Sequence, residues 1–152
     1  MPGHRWVTAA ELPVGVAGQE EAAARGTISA IVDSFAEQLR LEVISVGEGR
    51  ARLRATVAPE HLNIHGTAHG GFLYSLADEA FALASNSRGV TAVALTVHME
   101  YFRPVSAGDA LEALATEEYL GRRVATYRVE VRRGNEVVAL FTGTVYRAEP
   151  GP

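Results

Sequence analysis

Residues 71–87, GFLYSLADEAFALASNS, constrain the fold of this chain more than any other segment. Wound at 3.6 residues per turn, the segment is apolar almost all the way around, and Asp78 and Glu79 are its only charges. A helix of that kind belongs in the middle of a fold, so the rest of the chain has to wrap it. The polar, Gly-terminated run Asn86-Ser87-Arg88-Gly89 marks its end.

The wrapping has to come from strands. Two β-type runs, 41–46 and 50–58, flank the turn signal Gly47-Glu48-Gly49. The second alternates, with Ala51, Leu53, Ala55 and Val57 on one face and Arg50, Arg52, Arg54 and Thr56 on the other. Four more runs follow the helix, at 92–102, 110–119, 123–133 and 136–146, and Gly134-Asn135 joins the last two as a hairpin. Consecutive strands without intervening helices predict an antiparallel sheet in an α+β domain. A curved six-stranded antiparallel sheet wrapped around one long central helix is the hotdog fold. Ahead of it, Ile28, Ile31, Val32, Phe35 and Leu39 share one helical face and predict a helix of about three turns. Residues 1–26 show no sustained period and are expected to be a poorly ordered tail outside a single domain spanning 27–148.

Composition removes several kinds of chemistry. Of 152 residues, 47% are apolar, enough for one core. A net charge of −4 leaves no electrostatic footprint for nucleic acid or an anionic membrane. With no cysteine there is no disulfide, thiolate metal site or cysteine nucleophile. All 14 basic residues are arginine, so Schiff-base chemistry and a P-loop lysine are excluded. The opening residues hold no apolar run suited to a signal peptide, and the stretch around Ala80–Ala84 is far shorter than the roughly 20 residues a bilayer demands. A soluble, cytoplasmic protein is expected. There is no G-x-S-x-G elbow and no G-x-G-x-x-G after a strand.

Asp78 is the first candidate for chemistry, because a carboxylate midway along a buried helix needs a reason. It either hydrogen-bonds at a subunit boundary or water pocket, or it is held as a nucleophile or as the base that activates water. Glu79 points about 100° away and is expected to be the exposed member of the pair. His69-Gly70-Gly71 is the second candidate. Two glycines before a helix either permit a tight turn or let a ligand approach first-turn N–H groups, which suit a developing oxyanion. Gly71 and Asp78 are separated by roughly 10 Å of helix, too far to serve one carbonyl, so the chemistry implies two chains facing each other with composite sites. Asn63 is a turn residue or an amide that orients water or carbonyl. His61, His65 and His69 recur every four residues, but Gly66 and the flanking Pro59 and Gly70 oppose a helix there, and no metal is expected. His69 is expected to hydrogen-bond within its own loop. Arg88, Arg103 and the Arg122-Arg123 pair are either solvated strand-end residues or cations for the phosphates of a charged ligand.

Residues 63–87, NIHGTAHGGFLYSLADEAFALASNS, resemble the signature of hotdog-fold acyl-CoA thioesterases, above all the PaaI type of phenylacetic acid degradation. The likeness continues through AVALTVHMEYFRPVSAGD and the final VVALFTGTVYR. It implies hydrolysis of an acyl-CoA to a free acid and CoA, with no cofactor beyond the coenzyme A of the substrate. It matches Asp78 to the catalytic acid, Asn63 to the loop amide, and Gly70 and Gly71 to the glycines whose N–H polarises the thioester carbonyl. His69, Phe72, Tyr74, Arg88, Arg103 and Arg122 are the substrate- and CoA-binding candidates, with Leu73 beside them in the acyl pocket. The resemblance further implies a homotetramer of two dimers, and aromatic acyl groups (phenylacetyl or hydroxylated phenylacetyl) as substrate, with medium-chain acyl-CoA the alternative. Two rivals remain: a non-catalytic hotdog module that senses acyl-CoA, and a hotdog dehydratase or hydratase, whose His-based motifs are not present.

Overall fold

A computed structural model describes residues 32–148; the expected tail, residues 1–26, and the start of the first helix lie outside the described residues. The elements are α1 (Ser34–Gln38), β1 (Glu42–Gly47), β2 (Arg50–Thr56), a 3₁₀ turn (Pro59–His61), α2 (Gly70–Asn86), β3 (Ala92–Tyr101), β4 (Ala110–Leu120), β5 (Val124–Arg133) and β6 (Glu136–Arg147). All six strands form one antiparallel sheet in the order β1-β2-β4-β5-β6-β3. Register shifts in β1–β2, β3–β6, β4–β5 and β5–β6 bend the ladders, as bulges do, and curve the sheet around α2.

The helix lies this close to the sheet because both surfaces are built from small residues where they meet. Ala77, Ala80 and Ala84 on α2 face a sheet whose inner rows include Ala113, Ala115 and Ala125, all buried. Larger side chains fill the space between: Leu53, Leu76, Phe81, Tyr127 and Phe141 are fully buried. Gly143 in β6 is part of this fit. A Cβ there would lie 2.7 Å from the Phe81 ring, so the absent side chain is the space that ring occupies.

The far end of α2 is anchored by side chains. Asn86, buried, accepts from the Ala92 N–H (2.8 Å) and donates to the Ala92 carbonyl (3.1 Å), reproducing a backbone pair between the helix end and β3. Ser87 Oγ accepts from the Gly49 N–H (2.8 Å). Arg88 grips Glu117 with two bonds, and the Tyr127 hydroxyl donates to the same carboxylate (2.8 Å).

One element departs from the sequence pattern. The three-turn helix expected around 28–39 is, within the described residues, only Ser34–Gln38, because the Asp33 side chain accepts from the Ala36 N–H and starts the helix there. Its buried residue is Ala36, whereas Phe35 is 59% exposed. A local cap has overridden the apolar period. At the other side of the sheet, β3 is an edge whose second flank has no partner among the described residues, and Val93 and Leu95 on it are more than half exposed.

Candidate active site

The loop from Pro59 to His69 sets up the start of α2. His61 is buried; its Nδ1 accepts from the Ala58 N–H (3.0 Å), its ring stacks on Phe72 with centroids 4.0 Å apart, and its carbonyl accepts from the His69 N–H (2.8 Å). Asn63 ties its own turn: its Oδ1 accepts from the His65 and Thr67 N–H groups, and its Nδ2 donates to Thr67 Oγ1. One Asn63 N–H therefore has no partner among the described residues.

His69 is the helix N-cap, and its Nδ1 accepts from the Gly71 N–H (2.8 Å). The Phe72 and Leu73 N–H groups reach the His69 carbonyl. Among the described residues this leaves the Gly70 N–H as the one first-turn donor without a partner, whereas both glycines had been expected to offer theirs. Gly70 is also a site of close approach. The Tyr101 hydroxyl donates to its carbonyl (3.1 Å), and a Cβ on Gly70 would stand 3.3 Å from the Tyr101 ring.

Two pockets flank this helix start. One, about 350 Å³, is bordered by Asn63, Thr67, Gly70, Leu73, Tyr101 and Arg103. The Arg103 side chain makes no ion pair among the described residues. The other pocket, about 380 Å³, is bordered by Phe35, Leu39, His61, His69, Gly71 and Phe72. Tyr74 borders neither; it leans on Phe141 with ring centroids 5.7 Å apart. A larger pocket of about 650 Å³ lies by the Arg54–Glu112 ion pair and holds none of the candidate residues.

Asp78 and Glu79 occupy the face of α2 turned away from the sheet, both half-buried, and neither has a hydrogen-bond or ion-pair partner among the described residues. Burial raises the Asp78 carboxyl above its ordinary range, with the nearby Asp33 charge adding to the effect. Glu79 is pushed up to about 7, again by burial first and then by Asp33 and Asp78. Glu79 is thus not the exposed member of the pair, as the helix wheel suggested: α1 brings the Asp33 charge to both carboxyls. Among the described residues no group of three or more His, Cys, Asp or Glu side chains could hold a metal ion.

The chain brings Asn63, Gly70 and Arg103 together on one side of the helix start, and His69, Gly71 and Phe72 on the other. It does not bring Asp78 to Gly70, since eight residues of α2 separate them by about 12 Å. Arg88 lies just past the opposite end of α2, roughly 25 Å from its start, and is taken up by Glu117, while Arg122 sits in the turn between β4 and β5. Tyr101, Phe35 and Leu39 were not among the site candidates drawn from the sequence. Tyr101 reads there only as the end of a strand, and the two α1 residues as core.

Helix, sheet and site together describe a hotdog-fold thioester hydrolase. The chain belongs to the thioesterase superfamily, whose model matches residues 65–140. A mutant form of the phenylacetic acid degradation protein PaaI from Thermus thermophilus superposes with a TM-score of 0.75 at 58% identity, covering 76% of this chain and 100% of that one. The acyl-coenzyme A thioesterase PaaI of Escherichia coli is 42% identical over 116 residues, 76% of this chain and 83% of the relative. A Streptococcus mutans structure bound to acetyl-CoA superposes at 0.68 with 28% identity, over 71% of this chain and 88% of that one. The PaaI-type resemblance drawn from residues 63–87 and the antiparallel hotdog fold agree with these findings. No helix among the described residues is long and apolar enough to cross a membrane.

Proposed function

We propose that this chain hydrolyses acyl-CoA thioesters to a free acid and CoA, in a composite site shared by two copies. The observation that carries this reading is the arrangement on α2: a Gly70 N–H at its start and a half-buried Asp78 two turns further on, neither with a partner among the described residues. In the composite site the thioester oxygen rests on the Gly70 N–H, where the helix dipole favours developing negative charge. His69, by accepting from the Gly71 N–H, orients its imidazole beside that oxygen. Asp78 of the partner subunit takes a proton from water, which adds to the carbonyl carbon; alternatively its carboxylate attacks directly to give an anhydride that water then opens. In both routes the C–S bond breaks and the electron pair leaves on sulfur as CoA thiolate, which then takes up a proton. A carboxylate held above its usual range is a better base than one in water. The free Asn63 N–H and the Arg103 guanidinium serve the CoA arm. No metal or further cofactor enters this route.

The second copy is also favoured by β3, since a ten-residue edge with exposed Val93 and Leu95 is a template for pairing with another strand. Two such dimers make the tetramer that the family likeness implies. An aromatic acyl group, phenylacetyl or its hydroxylated form, is the proposed substrate, and a cytoplasmic location goes with it. The test is thiol release from a panel of acyl-CoAs by the native protein and by Asp78→Asn, with oligomer size measured alongside. Turnover that falls by at least about 10²-fold in an intact oligomer supports the reading. Acyl-CoA binding without thiol release from the native protein refutes it in favour of a sensing module.

A further inference from the structure

The two pockets beside the start of α2 differ in chemistry. The Gly70 side carries Arg103, the Asn63 amide and the Tyr101 hydroxyl. The Gly71 side is walled by Phe35 and Leu39 of α1, with Phe72 and the stacked His61 ring opposite. Among the described residues its one charged lining residue, Glu60, is paired with Arg40. Leu39 packs on the core, but Phe35 does not need its position for folding: it is 59% exposed on a five-residue helix whose buried residue is Ala36. Large apolar side chains left open singly are ordinary; one facing an apolar pocket that touches the helix start is not explained by chance exposure.

We propose that the pocket between α1 and the start of α2 receives the acyl group, and that Phe35 and Leu39 are the residues that set which acyl groups fit. The inference rests on the thioesterase reading. A thioester has two unlike arms. The CoA arm bears phosphates and amides and suits the side with Arg103, which has no ion pair among the described residues, whereas the acyl arm is apolar and suits the side whose one described charge is already paired. Gly70 borders one pocket and Gly71 the other, so a thioester carbonyl at the helix start places its two arms in the two pockets without crossing. At about 380 Å³ the acyl side lies within the range of small-ligand pockets. The wall supplied by a single exposed ring on a short helix makes acyl size a property of α1 rather than of the buried core.

The experiment uses Phe35→Ala, Phe35→Trp and Leu39→Ala in the full chain, with acetyl-, phenylacetyl- and decanoyl-CoA. Two readouts are taken: kcat/KM for each substrate, and by calorimetry the affinity gained by each acyl-CoA over free CoA. Phe35→Ala and Leu39→Ala are expected to shift the decanoyl-to-phenylacetyl ratio upward by about tenfold, and Phe35→Trp to lower the phenylacetyl-to-acetyl ratio by a similar factor. Ratios that stay within about twofold in all three variants overturn the assignment, whatever the native rate. Binding increments that move while no thiol is released keep the pocket and remove the hydrolysis reading. Unchanged ratios with brisk turnover do the reverse. Phe35 is exposed, so its variants leave no buried cavity; if Leu39→Ala unfolds, the two Phe35 variants decide.

Discussion

Glu79 offers a stability experiment that does not depend on any substrate. Its carboxyl is raised from 4.5 to about 7 by burial and by the charges of Asp33 and Asp78, and no cation among the described residues offsets them. The folded chain therefore holds this proton more tightly than the unfolded chain does. Below pH 4.5 both states are protonated and the residue costs nothing. As pH climbs from 4.5 to 7 the unfolded chain ionises first, and folding stability falls; above 7 the loss is complete and constant. At about 1.4 kcal/mol for each pH unit between the two values, the full loss is roughly 3 kcal/mol, and the partial exposure of the side chain reduces it to roughly 2–3. Glu79→Gln removes the charge while keeping the shape. The variant is expected to melt roughly 6–12 °C above the native chain at pH 8 and only about 2–3 °C above it at pH 5. Thermal melts of both proteins at equal concentration across pH 5–8 test this, since the other carboxyls contribute to both curves. An equal difference at the two pH values, or a variant less stable at pH 8, refutes the account of Glu79 as an uncompensated charge.

Other substitutions probe the packing. Gly143→Ala places a methyl group 2.7 Å from the Phe81 ring and 2.9 Å from the Phe141 ring, two rings that also pack on each other, and should cost about 1–2 kcal/mol in urea unfolding. Combining it with Phe81→Leu should recover part of that loss relative to the sum of the single changes. Asn86→Ala orphans both the N–H and the carbonyl of Ala92 in a buried place and should lower stability by about 2–3 kcal/mol, with faster amide exchange at the start of β3.

β2, β4, β5 and β6 were legible because each hides one face, and alternation such as Ala51, Leu53, Ala55 against Arg50, Arg52, Arg54 leaves little choice of register. The central helix was legible for the opposite reason, having no wet face wide enough for a surface. What the sequence concealed depends on neighbours distant in the chain. The Glu79 environment needs Asp33, forty-six positions earlier. The engagement of the Gly71 N–H turns on a His69 rotamer, and the start of α1 at Ser34 on one Asp33 cap. Tyr101 meets Gly70 across 31 positions, a pairing no local pattern records. The separation of Asp78 from Gly70, by contrast, follows from helix rise alone, and it was readable from the first.

That separation has a genetic meaning. In the proposed arrangement each catalytic centre borrows its donor from one chain and its carboxylate from the other, so a chain ruined at Asp78 still lends a sound helix start, and one obstructed at Gly70 still lends a sound carboxylate. Two inactive versions, Asp78→Asn and Gly70→Val, unfolded together and refolded as a mixture, should regain activity, because the hybrid dimer carries one centre with both lesions and one with neither. Inheritance of this enzyme would then be counted in pairs of chains, with complementation between two damaged alleles built into a single rigid rod.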